Sequence, residues 1–167
     1  MNFRTLEHYI YILENSFIIK CVRPFYTNIR KELTKMPKIY FTDNGLMNFV
    51  IRDFTNFNDN LRKGNILENF VFSSILKLWS ENINFWRTKE KTEVDFILRD
   101  FYGNIIPIEV KASYLKHPEV EYSFRSFIER YNPKKAFIVN LQLKKELDFK
   151  NSCNIKFILP YMIERIL

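Results

Sequence analysis

Thr92-Glu93-Val94-Asp95-Phe96-Ile97-Leu98 and Ile105-Ile106-Pro107-Ile108-Glu109-Val110-Lys111 are the two runs whose reading decides the fold. Both are rich in β-branched and aromatic residues, and the polar link 99–104 between them carries Gly103 where a turn needs backbone freedom. They read as strands 92–98 and 105–111 of a hairpin. On the two-residue period of a strand, Val94, Phe96 and Leu98 share one face while Glu93, Asp95 and Ile97 share the other. In the second strand Ile106, Ile108 and Val110 oppose Ile105, Pro107, Glu109 and Lys111. Pairing the strands brings Asp95, Glu109 and Lys111 towards one another. Two carboxylates and an ammonium on core strands are costly unless they act together.

Upstream, residues 62–79 have a helical period. Leu67, Phe70, Val71, Ser74, Ile75 and Leu78 form the expected inward stripe, with Glu68 at its margin beside Val71, Ile75 and Trp79. A short helix at 44–51 and an irregular Asn- and Asp-rich stretch at 53–60 come before it. After it, residues 82–87 read as a strand and 89–91 as a charged turn. Downstream, Pro118 opens a helix whose Val120, Phe124, Phe127, Ile128 and Tyr131 keep one face. The last strands are 135–140 and 155–159, with a short helical or irregular link at 143–147. A strand, a crossover helix and another strand imply a parallel pair. The expectation is an α/β fold, a mixed sheet flanked by helices, over residues 43–167.

Residues 1–42 read differently. Thr5 is placed to cap a helix that buries Leu6, Tyr9, Ile10 and Leu13, followed by strands 17–22 and 38–42 around a polar turn at 23–35. A helix and a hairpin make the back half of a winged helix, so this is expected to be a partial winged-helix segment, from a truncated or naturally abbreviated chain. Arg23, Arg30, Lys31 and Lys35 in the turn suit either a phosphate backbone or a solvated hairpin tip.

The 167 residues are 47% hydrophobic and 17% aromatic, enough for a packed core, and only 3 are glycine. No signal peptide and no apolar run long enough for a membrane span are legible. Cys21 and Cys153 read as buried reduced thiols of a cytoplasmic protein, and two Cys and two His without ligand spacing argue against structural zinc. His8 and His117 read as surface or capping residues. The net charge of +7 favours phosphate-bearing partners, unless it reflects base composition alone. No G-x-x-x-x-G-K-[ST] is present, which argues against ATP hydrolysis by this chain.

The order of Glu68 on a helix, Asp95 on a strand and Glu109-Val110-Lys111 on the next resembles the PD-(D/E)XK nuclease superfamily, with Val94 in place of the name-giving proline. Lys38 to Leu46, Gly64 to Val71, Trp86-Arg87-Thr88 and Glu93 to Phe96 look like the C-terminal region of a prokaryotic AAA+-type ATPase family. There a winged helix and this nuclease-like domain follow the motor. The resemblance implies a restriction-endonuclease-like fold in which Asp95, Glu109, Glu68 and the Val110 carbonyl hold Mg²⁺ or Mn²⁺. It makes Glu68, Asp95, Glu109 and Lys111 catalytic, with Lys111 orienting water or offsetting charge as a DNA phosphodiester is hydrolysed. A fold that no longer cuts but binds DNA or protein for its ATPase is the alternative. Glu93 is either an outer ligand or a structural partner of Arg87 or Lys111. Arg87 and Ser113 are candidate nucleic-acid contacts, or respectively a solvated side chain and a strand end. Homo-oligomerisation stays open.

Overall fold

The computed structural model describes residues 2–25, 36–88, 92–150 and 153–165. Its elements run α1 (Phe3–Asn15), β1 (Ile19–Pro24), β2 (Lys38–Phe41), α2 (Asn44–Ile51), α3 (Lys63–Leu78), β3 (Ile83–Arg87), β4 (Glu93–Arg99) and β5 (Ile105–Val110). There follow α4 (Tyr122–Tyr131), β6 (Lys135–Val139), β7 (Lys145–Phe149), β8 (Cys153–Ile158) and a closing 3₁₀ turn, Pro160–Arg165. Among the described residues the eight strands form one sheet in the order β2-β1-β3-β4-β5-β6-β8-β7. Its pairs are mixed: β3–β4, β4–β5, β1–β2 and β7–β8 are antiparallel, while β1–β3, β5–β6 and β6–β8 are parallel. The α/β class, the mixed sheet with helices against it, and the parallel pair across the crossover helix all agree with the sequence pattern.

The sheet is covered on both faces. Val71, Phe72 and Ile75 of α3 pack with Tyr40, Phe96, Leu98, Ile106 and Ile108. On the other face Phe124, Phe127 and Ile128 of α4 pack with Trp86, Val94, Ile97, Ile138 and Ile155. Burial on both faces explains the near-continuous apolar runs of β5 and β6.

Several expectations need correction. The stripe of α3 is rotated: Phe72 is buried while Phe70 and Leu78 are 39% and 47% exposed. The face centres on Phe72 because its ring stacks on Tyr40, 4.6 Å between centroids. Helix α4 begins at Tyr122, not Pro118, so Val120 is buried from an extended segment that leads to the Glu121 N-cap. The link expected at 143–147 is instead strand β7, an edge strand that turns Leu147 and Phe149 to the core and its charges to solvent. Its Lys, Glu and Asp are what disguise it, since charged residues suit an edge and depress the apparent strand signal.

At the other end the hairpin of β1 and β2 exists, but it extends the main sheet through the Arg23–Asn84 and Pro24–Phe85 pairs. Helix α1 is capped by Asn2, whose side chain accepts from the Arg4 amide, not by Thr5. Its apolar positions are not buried either: Leu6, Tyr9 and Leu13 are exposed and Ile10 is half-buried. The tip residues Arg30, Lys31 and Lys35 lie outside the described residues.

Candidate functional site

Strand alternation fails at Asp95, and the failure shapes the site. Asn84 pairs with Ile97 and Trp86 with Val94, so two steps along β3 face three along β4. The extra residue is a β-bulge. Val94 and Ile97 therefore share the α4 face, whereas Phe96 and Leu98 lie on the α3 face. The simple split into Val94, Phe96 and Leu98 against Glu93, Asp95 and Ile97 does not hold.

Beside the bulge, Asp95 Oδ2 accepts a hydrogen bond from the Val110 amide of β5, 2.8 Å away. That bond fastens the acid to the strand carrying Glu109 and Lys111. Burial raises the Asp95 pKa well above its ordinary value, and the charges of Glu109 and then Glu68 push it further. Glu109 is only 5% exposed, and burial raises its pKa too, against the opposing pull of Lys111. One Glu109 oxygen meets Lys111 Nζ at 2.8 Å, and the other is buried with no hydrogen-bond partner. Lys111 Nζ also reaches Glu121 Oε2 at 2.7 Å, at the N-cap of α4. Its pKa is raised: burial works against the charge, and Glu109 and Glu121 outweigh it.

Glu68 is half-buried on α3, one turn before Phe72. Its Oε1 accepts from the Tyr40 hydroxyl (2.5 Å) and from Lys38 Nζ (3.0 Å), both on β2. Lys38 pairs with Glu93 as well, and Glu93 pairs with Arg87. Glu93 is thus a structural partner of Arg87, as one reading of the sequence had it, and of Lys38, which was not foreseen. Lys38 holds its proton above the usual lysine range because Glu68, Glu93 and Asp95 more than offset its burial. Burial, followed by the Glu68 charge, pushes the Tyr40 hydroxyl far above the usual tyrosine range.

The structure therefore brings Asp95, Glu109 and Lys111 together and sets Glu68 within electrostatic reach of Asp95. Among the described residues no three His, Cys, Asp or Glu side chains stand close enough to hold a metal ion in this arrangement. Arg87 is half-exposed over the Phe85 ring, while Trp86 is core, packed edge-on to Phe127 and Tyr131. Ser113 is exposed and its carbonyl accepts from the Leu141 amide. His8 and His117 are exposed; Cys153 is buried, but Cys21 only partly so, and both thiols are free. Sequence reasoning missed Lys38, Tyr40 and Glu121. Lys38 and Tyr40 fall two apart on a strand, and Glu121 directly precedes a helix that packs on the sheet; those were the available signals.

Residues 63–161 match the family described as Domain of unknown function (DUF4143). The chain belongs to that family. Residues 1–58 match a second, Domain of unknown function (DUF8612), so the two matched segments meet between α2 and α3. Asp95, Glu109, Lys111, Glu68 and Glu121 all lie in the DUF4143 segment; Lys38 and Tyr40 lie in the other. Two uncharacterized proteins, of Mycobacterium bovis and Mycobacterium tuberculosis, are each 28% identical to this chain over 125 residues. That alignment covers 73% of this chain but 28% of either relative. No solved structure matches the chain. Among the described residues no helix is long and apolar enough to cross a membrane.

Proposed function

We propose that this chain is a metal-dependent, nuclease-like domain that hydrolyses DNA phosphodiesters in the cytoplasm beside an ATPase, on a restriction-endonuclease-like version of the mixed sheet. The observation that carries the reading is the Asp95–Glu109 pair: a buried Glu109 and a partly buried Asp95 on adjacent strands, with one Glu109 oxygen left without a partner. Such a pair repels itself unless a cation lies between its members. Oxygen donors of this kind suit Mg²⁺ or Mn²⁺: Asp95, Glu109 and the Val110 carbonyl would be the ligands. Glu68 would have to leave Lys38 and move in to complete the set, since among the described residues no three carboxylates stand close enough as folded. Bound there, the metal would lower the pKa of a water and polarise the scissile phosphate.

The chain's own groups supply the rest. Val110 N–H fixes Asp95, and the bulge keeps that acid beside β5. Lys111 holds a full positive charge at the rim, and its partner Glu121 is half-exposed, so the ammonium can turn to an anionic phosphate as charge develops. The net charge of +7 favours a polyanion, with Arg87 and Ser113 exposed near the site's strands. The ATPase rests on the sequence resemblance and on relatives much longer than this chain. A silent fold that binds without cutting is the second reading, favoured by the lysines that already neutralise Glu68 and Glu109.

The test is cleavage of plasmid, linear and branched DNA in Mg²⁺ or Mn²⁺. Asp95→Ala and Lys111→Ala are expected to lower the rate by about a hundredfold or more. Equal cutting by all three proteins, or none by the parent, would sink the enzyme reading for this chain.

A further inference from the structure

The Glu68 end of the site already contains a cation, and the chain supplies it. Lys38 Nζ stands 3.0 Å from Glu68 Oε1 and pairs simultaneously with Glu93 Oε1. Its side chain is only 21% exposed, and the ammonium lies 5.5 Å from the centroid of the Phe85 ring and 5.9 Å from that of Tyr40. Tyr40 donates to the same Glu68 oxygen. Both donors come from β2, and the i, i+2 spacing of a strand puts them on one side of it. A lysine held between two carboxylates and against two rings is a fixed part of the site's charge balance.

We propose that Lys38 is the resident counter-ion of this site and sets its affinity for a divalent cation, which must draw Glu68 away from the ammonium to use it as a ligand. The proposal rests on the metal-dependent reading above and adds a residue to it. A divalent ion bound by Asp95 and Glu68 would lie close to a like charge in a partly dry site, where repulsion is poorly screened. Tyr40 is neutral and does not compete in this way. The hold of Lys38 on Glu93 keeps the ammonium nearby after release. Metal affinity of the DUF4143 segment is thereby governed by a residue of the segment that precedes it.

Mn²⁺ titration of the full chain tests this, with the dissociation constant read by calorimetry and folding checked by melting without metal. Lys38→Met retains an apolar stem against Phe85, and Lys38→Gln is a second neutral variant. Both are expected to bind Mn²⁺ about tenfold more tightly than the parent, and Lys38→Arg to match the parent. Parent binding with an unchanged or weaker constant in the neutral variants overturns the role of Lys38 and leaves the metal site standing. No Mn²⁺ binding by any of the four proteins overturns both.

Discussion

Asp95 is an acid in a place that resists its charge. Burial, Glu109 and Glu68 all favour its protonated form, and a backbone amide with a more distant Lys38 does not cancel them. A neutral isostere should therefore suit the metal-free fold better. Asparagine keeps an oxygen for the Val110 amide, so Asp95→Asn is expected to be more stable than the parent in EDTA by about 1 kcal/mol, a rise of about 2–4 °C in melting temperature. The sign with pH follows from the raised pKa. The unfolded acid titrates near its ordinary 3.8, so the parent's penalty is absent below that, grows as pH climbs, and is complete above the folded pKa. The gap between variant and parent should widen over that window. An Asp95→Asn variant that melts lower than the parent at neutral pH would show the charge to be stabilising. At this scale Asp95, Glu109 and Lys111 were legible, because strand spacing places an acid and a Glu-x-Lys triplet on neighbouring strands. Lys38 was not. Its carboxylate partners lie 30 and 55 positions away, and its i, i+2 spacing to Tyr40 on β2 is too common on a strand to single it out.

Among elements, the joint between β2 and α3 positions Glu68, and Asn69 is its fastener. Asn69 is 3% exposed. Its side-chain oxygen accepts from the Phe41 amide at 2.8 Å, and its nitrogen donates to the Phe41 carbonyl at 3.1 Å and to Asn44 Oδ1 at 2.6 Å. A helix side chain thus completes the hydrogen bonding of an edge strand. Asn69→Ala leaves the Phe41 N–H and C=O without these partners and is expected to cost about 1–3 kcal/mol in urea denaturation. It should also loosen the Tyr40–Glu68 contact next door. Wild-type stability in Asn69→Ala would mean that water replaces all three bonds. Helix α3 itself was legible from its period, but the direction of its face was off by about a residue, since Phe70 and Phe72 are equally apolar and only the Tyr40 stack selects between them. The bulge in β4 had no signal at all. An inserted residue leaves composition unchanged and shows only in the pairing.

Over the whole molecule, cohesion is uneven. The centre of the sheet, β4, β5 and β6, is packed on both faces, whereas α1 has no buried residue and carries Phe3 at 69% and Tyr9 at 54% exposure. What ties α1 down is local: Glu14 accepts from the Cys21 amide at 2.9 Å and pairs with Lys20 at 3.7 Å, and the backbone turns from Ser16 to Ile18 onto β1. The sequence pattern showed an amphipathic helix but could not say what it lies against, because periodicity marks an apolar face and not its partner. Stability is expected to follow the packing. In native-state hydrogen exchange at micromolar protein, α1 amides should exchange by local opening, about a hundredfold or more faster than those of β5 and β6, whose exchange should track global unfolding. Protection of α1 equal to that of the sheet would contradict this picture. If that protection fell on dilution, a second copy would be what covers the helix; if it did not, α1 would pack more firmly on its own chain than its exposed side chains indicate.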